Sequence, residues 1–366
     1  MAGTHTDPHS LAKGSEGFVK ALIIQNPTSG PRAFRAEVVE VVRLLQDEGW
    51  DTGIRRTHGP GDATTYAREA VAEGYDAVFV AGGDGTLAQA IDGLVGTETA
   101  LAIVPTGTAN VMARQINLPI PGPLQSGALL ESVRQSLQGQ VRHVDVGRMS
   151  FPQSSAPDRH FICWAGVGFD AEFNRRLNRD RDFKRRPRAG AMATAAFFTV
   201  KDFAGTGAIV RVDGEVVSRR LLMLSASNIQ IYGIIFKMAP TARLDDGLLD
   251  ILCFHGNRPV RMIAHLGEML FSQHVRNPQV DSYQAQRVEV TTTRPLRVHV
   301  DGDCIGETPV VIEVVPRSLK LMIPASTPRE LFMDRGNMTA APTTLDRMRR
   351  MARDAQTAIK DRSHLP

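Results

Sequence analysis

The sequence predicts a two-domain protein, an α/β domain built on a parallel sheet followed by an all-β sandwich domain. Three observations predict it. The 366 residues suit two domains better than one. Up to His143, apolar β-branched runs alternate with segments of helical spacing, the pattern of a parallel sheet with helices on both faces. From Arg148 onward, period-two alternation takes over, and turn dipeptides such as Asp213-Gly214 and Asp301-Gly302 punctuate it.

Residues 18–25 form the first buried strand, which Asn26-Pro27-Thr28-Ser29-Gly30 breaks. Residues 33–46 place Val38, Val41, Val42 and Leu45 at helical spacing, and Gly49 ends that helix. A strand at 51–57, a helix at 62–73 and a strand at 77–81 follow. Next come Gly82-Gly83-Asp84-Gly85-Thr86, a helix from Thr86, a strand at 101–104, and a further loop and helix. In the second half the clearest strands are 208–212, 216–225, 248–254, 287–291 and 296–300, with helical interruptions near 170–200 and 260–274. The expected division is a disordered leader at 1–17, an α/β domain at 18–145 completed by 316–335, a sandwich at 146–315 and a basic tail at 336–366. Residues 344–360 of that tail have the pattern of a helix, with Leu345, Met348, Met351, Ala355 and Ile359 on one side.

No apolar run approaches the roughly 20 residues of a membrane-spanning helix. The polar first 17 residues lack the apolar core of a secretory signal. Three scattered cysteines, Cys163, Cys253 and Cys304, argue against a disulfide framework or zinc site and for a reducing cytosol.

Three polar, Gly-containing loops carry the chemistry: residues 26–30, 82–86 and 105–110. Each follows a strand of the expected parallel sheet, so all three lie at the strands' carboxyl ends, where such sheets bind ligands. Glycines let a backbone approach a phosphate, and helix starts present N–H groups to it. Asp84 would oppose a bare phosphate; it suits a nucleotide that arrives with Mg²⁺. A lone Gly-rich turn with Asp84 as a helix cap is the plainer reading of the second loop, and the company of the other two weighs against it.

In this order, Asn-Pro-x-Ser-Gly, Gly-Gly-Asp-Gly-Thr and Gly-Thr-Ala-Asn resemble the diacylglycerol kinase catalytic-domain family, which includes bacterial soluble lipid kinases and sphingosine kinases. The resemblance runs on through Val167-Gly168-Phe169-Asp170, Ser227-Asn228, Ala239-Pro240, residues 244–250 (Leu-Asp-Asp-Gly-Leu-Leu-Asp) and residues 300–303 (Val-Asp-Gly-Asp). It implies a Rossmann-like domain and a β-sandwich with the active-site cleft between them. It implies ATP contacts from Asn26, Pro27, Thr28, Ser29, Gly30, Thr57, Gly82, Gly83, Asp84, Gly85, Thr86, Leu87, Ala88 and Thr108. It also implies a Mg²⁺ site at the Asp-Asp-Gly turn, formed by the Asp246 side chain and the carbonyls of Arg243 and Leu248; an ordinary hairpin is the competing reading of that turn. The implied reaction moves the γ-phosphate of ATP to a lipid hydroxyl, of a diacylglycerol-like lipid, phosphatidylglycerol or a sphingoid base.

The family's proposed base corresponds to Asp303, where the family more often has Glu. Residues 212–215 (Val-Asp-Gly-Glu) repeat the local pattern, and only the resemblance selects Asp303 over Glu215. Asp145 is a further acid, either lining the cleft and holding metal or ending a strand. Two departures stand out: Val111 where the family often has Asp, and Pro31 before Arg32 where it often has a base directly. Val111, together with Asp303 in place of Glu, carries an alternative implication, a nucleotide-binding regulator without turnover. An NAD kinase shares Gly-Gly-Asp-Gly-Thr but lacks the first and last motifs.

Eight basic residues face two acids between Arg175 and Arg188, and an apolar segment containing Met192, Phe197 and Phe198 follows. This stretch, from Arg175 through Val200, suits docking on anionic lipid and equally suits a solvated helix beside a core helix. Interleaved aromatics and DNA-binding motifs are lacking, so no nucleic acid is expected. The expected location is cytoplasmic, peripheral to the inner face of the membrane, with the tail as a second membrane contact, a homodimer contact or, equally, a frayed, solvated helix.

Overall fold

The structure is a computed structural model describing residues 19–31, 34–122, 127–179, 203–233, 236–255 and 279–333, with the single positions 198, 199, 265, 268 and 277. The expected leader, most of the basic stretch beyond Arg179, most of the helix expected at 260–274 and the tail lie outside the described residues.

The first half alternates as read: β1 (Lys20–Gln25), α1 (Phe34–Asp47), β2 (Asp51–Arg56), α2 (Asp62–Ala72), β3 (Ala77–Gly82), α3 (Asp84–Leu94), β4 (Ala100–Pro105), α4 (Val111–Gln115) and α5 (Ala128–Gln138). Its strands pair in parallel in the order β2-β1-β3-β4. β1, β3 and β4 are apolar on both faces because helices cover both, whereas the edge strand β2 is largely polar and exposed. Ala21 and Ile23 pack against Val38, Val41 and Leu45 of α1 and Leu129 of α5. Leu22 and Ile24 face the other way, toward Ala63 and Ala67 of α2 and Ile91 of α3.

The second half contains β5 (Gln140–Ser150), β6 (Arg159–Phe161), β7 (Trp164–Gly168), α6 (Phe169–Arg179), β8 (Thr206–Val212), β9 (Glu215–Ser227), β10 (Ile231–Tyr232), β11 (Phe236–Lys237), β12 (Leu249–His255), β13 (Val280–Ala285), β14 (Arg287–Thr292), β15 (Arg297–Val300), β16 (Asp303–Glu307) and β17 (Val310–Ile323), then a 3-10 turn at Arg329–Leu331. These strands are largely antiparallel and enclose a second core that includes Val167, Leu224, Ile251, Val290, Val298 and Ile312. Asp213-Gly214 and Asp301-Gly302 both take positive φ (46° and 91°; 46° and 90°), the geometry of a tight primed hairpin turn.

Hydrogen bonding does not stop between the halves. The first part of β17 pairs with β14, while Leu321 pairs in parallel with Leu101 of β4. β5 runs antiparallel to both parts, with a register shift between Val315 and Leu319. Arg317 adopts φ 49° there, and the irregularity re-aims the strand from one half into the other.

Candidate active site

The three loops meet. Only Gly83 separates β3 from α3, which begins at Asp84 rather than at Thr86 as expected. Asn26 Nδ2 donates to Thr86 Oγ1 at 2.9 Å, while Asn26 Oδ1 accepts from the Thr28 N–H at 3.0 Å and its hydroxyl at 2.8 Å. The Asn side chain thus folds its own loop and ties it to α3. Gly30, at φ 70°, leaves no room for a Cβ beside the Thr106 carbonyl, and a Cβ on Gly107 would overlap the Gly83 Cα. Ser29 Oγ lies 3.6 Å from where a Cβ on Gly83 would sit. Thr57 joins the same rim, its N–H donating to the Gln25 carbonyl at 2.9 Å. Pro27 is half-buried, and Thr28 and Thr108 are exposed. The Thr106 hydroxyl is buried without a partner among the described residues. Leu87 and Ala88 turn their side chains into the core, so any nucleotide contact from them comes from backbone.

Asp84 accepts the Val111 N–H at 2.7 Å and so caps α4, not its own helix. The Val111 side chain packs in the core, so the position where the resemblance expects an acid points away from the cleft. From the other half, the β15–β16 hairpin reaches this loop. Both Asp303 carboxylate oxygens stand 3.9 Å from where a Cβ on Gly85 would sit. Burial pushes the Asp303 carboxyl above the usual carboxylate range, and the neighbouring Arg159 and His299 pull it back in part.

The hairpin is held firmly. Asp301 accepts the N–H groups of Ile162, Cys163 and Trp164, each at 3.0 Å. Burial pushes its carboxyl up to about 6 against those three donors. Buried His299 accepts the Gly302 N–H on Nδ1 at 3.2 Å, and its Nε2 faces Asp170 Oδ2 at 3.0 Å. Glu215 has no such place: it is exposed in the other hairpin, whose Asp213 accepts the Arg287 N–H at 2.8 Å.

Sequence reasoning missed Asp92, Arg159, His160 and His299. Arg159 Nε donates to Asp92 Oδ2 at 2.8 Å, and His160 Nδ1 lies 3.0 Å from Asp92 Oδ1. The Arg-His pair opening β6 was a visible signal, but its acid lies on α3, far off in sequence. Beside Asp303 a cavity of about 760 Å³ opens between α2, α3, residues 157–160 and Arg175.

The Asp-Asp-Gly turn is a loop and not a hairpin, since β11 pairs with β10 alone and β12 pairs with β9 and β13. Asp145 does not line the cleft: it is fully buried, accepting the Gly247 N–H at 2.6 Å and the Arg317 N–H at 2.7 Å. Asp246 Oδ1 accepts the Leu248 N–H at 3.1 Å. Burial raises the Asp246 carboxyl, Asp245 adds to this, and the Leu248 N–H and Arg243 oppose it. A half-buried carboxylate under that pressure is the donor type a hard divalent cation takes. Among the described residues no group of three or more His, Cys, Asp or Glu side chains is arranged to hold a metal.

A family model for the diacylglycerol kinase catalytic domain matches residues 20–149, and one for the YegS C-terminal NAD kinase beta sandwich-like domain matches residues 164–323. A diacylglycerol kinase of Bacillus subtilis (strain 168) is 25% identical over 316 residues, covering 85% of this chain and 99% of that protein. One of Staphylococcus carnosus (strain TM300) is 26% identical over 320 residues, covering 85% and 96%. A solved structure of a diacylglycerol kinase from Bacillus anthracis str. Sterne shares the fold with a TM-score of 0.63 at 23% identity, over 85% of this chain and 99% of that one. No described helix is long and apolar enough to cross a membrane.

Proposed function

The chain belongs to the diacylglycerol kinase catalytic-domain family, and from that premise we propose that it transfers the γ-phosphate of ATP to a lipid hydroxyl with Asp303 as the base. At the level of the family it is a lipid kinase. One observation carries the finer reading: Asp303, from the antiparallel half, stands against Gly85 of the glycine loop. An acid there can take a hydroxyl proton beside a phosphate cradled by α3's first turn.

The loops at Asn26, Gly83 and Gly107 bind and orient the triphosphate. As the acceptor oxygen bonds to the γ-phosphorus, its proton passes to Asp303, the β–γ bridging bond breaks and ADP leaves with the electron pair. Mg²⁺ carried with the nucleotide, near Asp84, would neutralise charge on the phosphates. A second cation at Asp246 and the Arg243 and Leu248 carbonyls would brace the turn on which Asp145 converges. The reading extends to peripheral contact with anionic membrane through the stretch beginning at Arg175, tested by sedimentation with anionic vesicles.

The deciding experiment incubates the protein with Mg²⁺, γ-labelled ATP and mixed lipids. Label extracted into the organic phase is the expected result. ATP binding without labelled lipid would leave a nucleotide-binding regulator of the same fold, and label on NAD would point to the NAD kinases.

A further inference from the structure

Two hairpins of the antiparallel half carry the same turn. Asp213-Gly214 takes φ 46° and 91°, and Asp301-Gly302 takes 46° and 90°. Two positions before the first turn stands Arg211, which is exposed; at the same place before the second stands His299, fully buried. Since the first turn forms without a buried ring behind it, a turn of this shape does not need one. The ring serves something that belongs to the hairpin of Asp303 alone.

Its contacts show what that is. Nδ1 accepts the Gly302 N–H at 3.2 Å. That nitrogen therefore carries no proton, and the ring proton sits on Nε2, which donates to Asp170 Oδ2 at 3.0 Å. The Gly302 N–H belongs to the central peptide of the turn, whose orientation sets the path of the chain into Asp303. Asp170 lies in the first turn of α6, and the two residues after it also grip the hairpin. The Ala171 carbonyl accepts the Cys304 thiol at 3.2 Å, and Glu172 faces Arg297 at 3.2 Å. The buried pair also has space made for it: a Cβ on Gly166 of β7 would overlap both Asp170 Oδ2 and His299 Nε2. Glycine weakens a strand interior, and at this position it marks the close approach of the two side chains.

We propose that His299 is a positioning residue for the base: braced by Asp170, it fixes the central peptide of the Asp301-Gly302 turn and so holds the Asp303 carboxylate against the glycine loop. The proposal rests on the reading of Asp303 as the base and adds the device that aims it. The start of α6 is the mount, the ring is the strut, and the turn carries the acid.

The test separates the two ring nitrogens. An Asn side chain puts its amide oxygen near the place of Nδ1, and a Gln side chain puts its amide nitrogen near that of Nε2. His299→Asn thus keeps an acceptor for Gly302 and gives up Asp170, whereas His299→Gln keeps a donor for Asp170 and gives up Gly302. Transfer from labelled ATP to lipid is expected to lose about tenfold or more in kcat in His299→Gln, the cost of a misplaced base, and much less in His299→Asn. The KM of ATP should stay near wild type in both, because the three loops and not the hairpin hold the triphosphate. Hydrogen exchange followed by mass spectrometry gives a second readout that needs no turnover. The amides of the turn should exchange about tenfold faster in His299→Gln and near the wild-type rate in His299→Asn. Each variant gives up one buried hydrogen bond, so their melting temperatures should fall alike.

A merely structural ring would leave the two folded variants equal in kcat and in exchange at the turn, and that result overturns the proposal. So does wild-type kcat in His299→Gln, or a loss that appears in the KM of ATP instead. If His299→Gln fails to fold, Asp170→Asn decides: the ring then loses its charged brace, kcat should fall severalfold and the turn should exchange faster, and wild-type values of both sink the idea. If the wild-type protein labels no lipid, the kinase reading falls, and exchange at the turn alone decides whether His299 fixes it.

Discussion

Asp303 and Glu215 sit in hairpins that are identical in turn chemistry, yet only one reaches the glycine loop. Asp303→Asn is therefore expected to lower kcat by about 10²–10⁴, the contribution of a positioned base, while Glu215→Gln stays near wild type. Steady-state kinetics on the two variants check it, and the reverse pattern would remove Asp303 from its role. A pH profile adds a sign. The base works as the carboxylate, so activity falls as pH drops through its pKa. Because burial raises that pKa, the acid limb should lie above the ordinary carboxylate range. At Asp84 the carboxylate accepts the Val111 N–H through one oxygen. Asp84→Asn keeps an acceptor there but removes the charge, so transfer should fall by an order of magnitude or more while stability drops only about 1 kcal/mol. Equal losses, read by kinetics and denaturant melts, would reduce Asp84 to a cap for α4.

At the scale of the elements, the strand-helix alternation was legible because β1, β3 and β4 are apolar runs ended by polar, Gly-bearing loops; the edge strand β2 is largely polar and lacks that signal. The hairpins were legible from Asp-Gly. The Arg159–Asp92 pair was not, since a contact between a strand and a helix many residues apart leaves no local pattern. Nor was the place of Val111, whose inward side chain follows from α4's seat on the core. The convergence of the three loops was expected from their place at the strands' carboxyl ends, but its tightness shows only in three dimensions. Gly107 is the test of that tightness. Gly107→Ala must push the third loop off Gly83. The expected result is an ATP KM raised severalfold and a weaker thermal shift on adding nucleotide, at a stability cost of about 1–3 kcal/mol for overpacking. An unchanged KM would mean that the loops do not hold the triphosphate together.

Across the whole molecule, β17 decides whether the two halves can exist apart. It contributes Leu319, Leu321 and Ile323 to the core on one face of the parallel sheet and Met322 to the core on the other. Each such side chain stabilises by about 1.5–3 kcal/mol when buried, so together they rival the roughly 5–15 kcal/mol that holds a whole domain folded. Without β17, β5 loses its ladder, and β4, next to β3, becomes an apolar edge. A chain of residues 19–150 is therefore expected to lack a cooperative thermal transition and to bind a hydrophobic dye. The full chain should melt in one transition, because β5 and β17 carry the hydrogen bonding through both halves. A sharp melt of the isolated segment with native-like circular dichroism would show that the α/β half folds without the strand that returns to it. Asp303 would then be carried to Gly85 by the docking of two independent domains, and the cleft's geometry would depend on that docking.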